Sequence, residues 1–181
     1  LRRNAGKKQA ARYIDVGIAE EQAVSMVPGL PKAVCIPSLP VMPRSSSVLY
    51  DQLSQDVCVN HNPATFLVFG ASMYSLNDVT HLCFYDIPLL SNIPNLVYLA
   101  PATLEEYNAM LGWAIAQETH PVAIRVPVPV YENGSFYPVK AEKDYRELNR
   151  FAVTHKGSQV ALLGAGNFYG LAEQTAKELQ S

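Results

Sequence analysis

Short apolar runs alternate with helical spacings along most of this chain, and that alternation restricts it to a layered α/β fold. Thr65–Gly70 (TFLVFG), Leu96–Ala100 (LVYLA), Val122–Val126 (VAIRV) and Gln159–Gly164 (QVALLG) are each bounded by turn residues. They predict strands buried on both faces, the pattern of a parallel sheet with helices on both sides. Between them, Leu104, Tyr107, Leu111 and Ile115 fall on one helical face, and Thr103 with Glu106 makes a capping box. Tyr50, Leu53 and Val57 share the face of another helix, and Tyr169–Gln180 predicts a last one. Near the start, Tyr13–Val16 reads as a short buried strand closed by Gly17, with helical spacing from Ile18 onward. The adjacent carboxylates Glu20 and Glu21 therefore stand where a strand gives way to a helix, a usual place for the floor of a cleft.

The 181 residues suffice for one ordinary domain, or for one and a piece of another. A hydrophobic content of 49% with 17% charge describes a buried core rather than a disordered chain. Basic residues gather only in LRRNAGKK, where no aromatics interleave, so this is a solvated terminus and not a nucleic-acid arm. No apolar stretch is long enough to span a bilayer, and no secretory signal is recognisable. Cys35, Cys58 and Cys83 make neither a disulfide framework nor a metal-binding pair. The expectation is a cytoplasmic protein without nucleic-acid or membrane partners. The chain opens without methionine and stops at Ser181 directly after a helix, which reads as a fragment. Pro and turn residues from Pro127 to about Tyr145 mark a linker, placed at 129–150. It divides a first domain, 1–128, from 151–181, the first strand and helix of a second α/β domain.

Several motifs admit two readings. GAGNFYG (Gly164–Gly170) lies between a predicted strand and helix, as a dinucleotide fingerprint would, but a tight strand-to-helix turn needs glycines anyway. His81 lies in a polar loop with Asp78, Thr80 and Asp86 nearby. It is either a structural histidine or part of a loop that carries chemistry beyond a strand. His61, His120 and His155 have no partners at informative spacing, and no metal site emerges. Arg125, in an otherwise apolar strand, must find a carboxylate or an anion such as a substrate phosphate. Glu20 and Glu21, taken alone, are acids favoured at a helix start.

DVGIAEEQAV (Asp15–Val24) resembles the pyrimidine-binding domain of the transketolase family of thiamine diphosphate enzymes. It is most like the 1-deoxy-D-xylulose-5-phosphate synthase branch, whose pattern there is DVGIAEQHAV. YDQ at Tyr50–Gln52, THLCFYDIPLLSNIPNL at Thr80–Leu96, LAP at Leu99–Pro101 and PVAIRVP at Pro121–Pro127 extend the resemblance. His81 with Asp86 matches the synthases' THQGAFD better than the THQP of transketolases, and Gly157–Ser181 resembles the start of the family's C-terminal domain. The resemblance implies that Glu20 hydrogen-bonds N1′ of the cofactor's aminopyrimidine and shares a proton with it. That contact promotes loss of the thiazolium C2 proton. Glu21 is then a helix-start acid. His81 is implied to stand near the reacting substrate, for proton transfer or an oxyanion contact, with Asp78 beside it. Arg125 is implied to meet the phosphate of an aldehyde substrate.

The implied reaction joins pyruvate to glyceraldehyde 3-phosphate with loss of carbon dioxide, using thiamine diphosphate and Mg2+. The diphosphate and metal belong to a separate diphosphate-binding domain, of the same or a partner chain, typically across a homodimer, so this chain alone is expected to be inactive. Transketolase chemistry, a non-catalytic partner subunit and a dinucleotide-binding module are the alternatives. The family's aspartate in DGPTH falls on Asn77 and an expected arginine on Gly70, which bears on substrate identity.

The largest departure is Pro28–Leu49, where Ser45 stands in place of the aromatic residue that stacks on the aminopyrimidine. Codons for Phe-Ile-Gln-Arg-Thr, read one base later, give Ser-Ser-Ser-Val-Leu, the sequence of Ser45–Leu49. The segment therefore reads as one translated in a shifted frame. Its four prolines from Pro31 to Pro43 predict the loss of a core strand.

Overall fold

The computed structural model of the protein describes residues 13–30, 37–41, 48–70, 85–126, 144–147 and 151–180. Its centre is a four-stranded parallel sheet of β1 (Ser38–Val41), β2 (Ala64–Val68), β3 (Val97–Leu99) and β4 (Pro121–Arg125), in the order β1-β2-β4-β3. The helices are α1 (Glu20–Ser25), a π-helix (Gln52–Cys58), α2 (Asp86–Ser91), α3 (Leu104–Ala116) and α4 (Tyr169–Gln180).

The period of two along each strand divides the core into two layers. Ala64, Phe66 and Val68 of β2, with Ala123 of β4, face a cluster built on Val24, Leu49, Leu53, Val57 and Leu90. Val122 and Ile124 of β4, with Val97 and Leu99 of β3, face Met110 and Ala114 of α3. Both faces of the sheet are thus covered, as continuous apolar strands require. The described helices of connections β1–β2 and β2–β3 pack on the first face, and the helix of β3–β4 packs on the second.

Strands β2, β3 and β4 form where the apolar runs predict them. Three expectations need correction. Ser38–Val41 is a strand despite Pro40. Among the described strands it lies at the edge of the sheet, where one side of the backbone needs no ladder partner and proline is tolerated. Tyr13–Val16 is not a strand, and Tyr13 and Ile14 are exposed. Asp15 Oδ1 accepts from the Gly17 N–H at 2.9 Å, and Gly17 has φ +69°, a local turn that competes with extension. Gln159–Gly164 is likewise exposed and not a strand, because no strand among the described residues lies alongside to pair with it. The helix after it, α4, forms as expected.

The helix faces also differ in detail. In α3 the buried side chains are Met110 and Ala114, while Leu104 and Ile115 are exposed. The small Ala114 lets the helix approach β2, and Thr65 Oγ1 donates to the Ala114 carbonyl at 3.3 Å. The Thr103 hydroxyl accepts from the Glu106 N–H, as the capping box predicts, while the Glu106 carboxylate reaches the Ala102 N–H at 2.8 Å. Around Tyr50 the helix is wound wider. Val59 N–H bonds to Ser54 O and Asn62 N–H to Val57 O, both five residues back. Leu53 and Val57 are buried as expected and Tyr50 packs against them, with Leu49 and Cys58 buried in addition.

Candidate functional site

Glu20 is the first residue of α1 and is half-buried. Residues four apart share a helix face, so it stands above Val24, which is 1% exposed and packs into the first core layer. Ser25 Oγ donates to Asp56 Oδ2 at 2.8 Å and ties the end of α1 to the π-helix. Glu20 is therefore held at the rim of an apolar layer; Glu21, half-buried as well, stands one turn before the exposed Ser25. Beneath lies a void of about 10 Å³ lined by Val24, Leu53, Phe66, Val68 and Leu90, too small for any ligand.

The second constellation is buried. Arg125, at the carboxyl end of β4, gives its Nε to Asp86 Oδ2 at 2.8 Å and Nη2 to Asp86 Oδ1 at 3.4 Å. The two side chains are 8% and 0% exposed. Tyr98, from β3, donates its hydroxyl to the same Asp86 Oδ2. Asp86 opens α2, where a carboxylate is also favoured by the helix dipole. Of the two partners open to Arg125 in sequence terms, the structure thus supplies a carboxylate. Tyr98 was not anticipated; a tyrosine in the middle of the apolar run LVYLA is the signal that pointed to a buried hydroxyl needing a partner.

The GAGNFYG turn packs on this pair. Gly166 has φ +57°, and a β-carbon there would lie 3.6 Å from Arg125 Nη1 and from the Pro101 carbonyl oxygen. A β-carbon at Gly164 would come within 2.7 Å of the Tyr169 backbone. Close approach explains Gly164 and the left-handed φ explains Gly166, both without a dinucleotide. His155, given no partner by its spacing, faces Glu173 at 2.8 Å, and that contact holds the Glu173 carboxyl below the usual range. His81 and Asp78, with Asn77 and Ser45, lie outside the described residues. Among the described residues, no three His, Cys, Asp or Glu come together to hold a metal ion, and no helix is long and apolar enough to cross a membrane.

The description "Transketolase, pyrimidine binding domain" fits residues 2–133 of the sequence. The chain belongs to this family. The match takes in Glu20, Asp86, Tyr98 and Arg125. Among curated relatives, a 1-deoxy-D-xylulose-5-phosphate synthase of Clostridium acetobutylicum is 32% identical over 96% of this chain, and one of Albidiferax ferrireducens is 36% identical over 93%. The chain spans only 27% and 26% of their lengths. A solved structure titled "Split gene transketolase, inactive beta4 tetramer" shares the fold, with a TM-score of 0.56 and 21% identity over 67% of this chain and 39% of that one. The α/β architecture of a transketolase pyrimidine-binding domain is thereby shown.

The buried acids of this domain predict a pH dependence. Burial pushes the Cys58 thiol up to about 12, from an ordinary value of 9.0. Burial first, then the Asp86 charge and the hydrogen bond to it, raise the Tyr98 phenol far above its ordinary range, against a smaller opposing pull from Arg125. Both groups hold their protons more tightly folded than unfolded. Their contribution is complete below the ordinary values and is lost as pH rises beyond them. Stability of the full-length protein is expected to fall above about pH 9, by up to about 1.4 kcal/mol per pH unit for each group. Urea unfolding between pH 8 and 11 measures this, and Cys58→Ala should flatten the first part of the decline.

Proposed function

We propose that this chain is the aminopyrimidine-holding part of a thiamine diphosphate-dependent synthase that joins pyruvate to glyceraldehyde 3-phosphate and releases carbon dioxide. The observation that carries the reading is Glu20, a carboxyl at the first position of α1, half-buried beside an apolar layer. Such a group fits an aminopyrimidine: an oxygen for a ring nitrogen, with apolar surface for the ring. Glu20 would hold the N1′ proton and orient the ring. Glu21, also half-buried, would make no contact with the ring. Arg125, at the carboxyl end of a central strand between β2 and β3, lies where the connections turn to opposite faces of the sheet, the usual location of ligands in such folds. There it would meet the phosphate of the aldehyde, and His81 and Asp78 would serve the reacting substrate. When bound, thiamine diphosphate supplies the electron sink for decarboxylation. Its diphosphate and Mg2+ would be held by a diphosphate-binding domain of the same or a partner chain, in a cytoplasmic homodimer.

Tests of the full-length enzyme with its cofactor should give carbon dioxide from pyruvate in proportion to the aldehyde phosphate consumed. Two-carbon transfer from a ketose phosphate, with no carbon dioxide from pyruvate, would make it a transketolase instead.

A further inference from the structure

The geometry points to Asp86 and Tyr98 as positioning residues that aim Arg125 at the phosphate of the acceptor substrate. The inference rests on the proposed role of Arg125 and adds how its specificity is set. An arginine side chain has four flexible torsions, and free in a cleft it would sample many orientations. Here Asp86 takes the Nε–Nη2 edge of the guanidinium, which turns Nη1 toward the Gly166 turn. At that turn Gly166 brings no side chain of its own, and a β-carbon there would lie 3.6 Å from Nη1. Tyr98 fixes Asp86 in turn, by donating to the oxygen that also accepts from Nε. Its donated proton withdraws part of the carboxylate charge, so Asp86 orients the guanidinium with less neutralisation of it. The three residues come from separate parts of the fold, β3, the start of α2 and the end of β4, and meet at the carboxyl ends of the strands.

Acceptor specificity of the full-length enzyme tests this, as kcat/KM for glyceraldehyde 3-phosphate against unphosphorylated glyceraldehyde. Tyr98→Phe and Asp86→Asn should each raise KM for the phosphorylated acceptor by roughly tenfold, the weight of a weakened charged hydrogen bond. KM for pyruvate and for the unphosphorylated acceptor should stay unchanged. Arg125→Lys keeps the charge without the planar fork and should lose the phosphate preference as well. If Arg125→Lys loses it while both other variants retain it, the positioning role is overturned and the role of Arg125 stands. If none of the three loses it, the phosphate role falls and the positioning role with it. Equal slowing with both acceptors would reduce Asp86 and Tyr98 to purely structural parts. Should Asp86→Asn not fold, Tyr98→Phe decides alone.

Discussion

Glu20→Gln is expected to lower kcat of the full-length enzyme by about 10²–10⁴-fold at saturating cofactor, the usual weight of one general acid–base group. Glutamine keeps the length of the side chain and an N–H that can donate to the ring nitrogen, so the ring can still be seated. What it lacks is an acidic proton to transfer to that nitrogen. The neighbouring carboxylate supplies the control. Glu21, half-buried like Glu20, stands one turn before the exposed Ser25, and Glu21→Gln should change kcat less than about twofold, because the proposed ring contact belongs to Glu20 alone. Equal losses from both substitutions would mean that the helix start, and not one carboxyl, matters.

The largest effect on stability is expected from Asp86→Ala. Arg125 would then remain buried with its carboxylate gone, and breaking a buried pair on one side costs about 3–5 kcal/mol. Tyr98 would lose its acceptor as well. The double substitution Asp86→Ala with Arg125→Met should recover part of that loss, because it removes the uncompensated charge. Urea unfolding of the three proteins measures the difference. A cost below about 1 kcal/mol for Asp86→Ala would place the pair in solvent, where ion pairs contribute little.

The legible parts of this fold were those governed by local period. β2, β3 and β4 announce themselves as short apolar runs, and Thr103 with Glu106 as a cap, because each is decided within a few residues. β1 was not legible, since Pro40 argues against a central strand and only the strand order shows it to be at an edge. Tyr13–Val16 and Gln159–Gly164 carry the right residues but have no described neighbour, and a strand is a property of a pair. At Gln52–Cys58 the expected face holds, with Leu53 and Val57 buried and Tyr50 packed against them, while the wider winding itself is something a period of 3.6 does not anticipate. At the site, position alone marked Glu20 and Glu21 together, and only the resemblance of DVGIAEEQAV singles out Glu20. The partner of Arg125 was not, because Asp86 is 39 residues away and its approach depends on how α2 packs. Tyr98 joins them only through strand order, which brings β3 beside β4.

The claim that Glu20 serves the cofactor is tested most directly by exchange of the C2 proton of thiamine diphosphate for deuterium. Quenched-flow NMR follows this on the full-length enzyme without any substrate. The account predicts fast exchange in the unaltered enzyme and in Glu21→Gln, with exchange slowed at least about a hundredfold in Glu20→Gln. Exchange in Glu20→Gln as fast as in the unaltered enzyme, with cofactor bound, would contradict it.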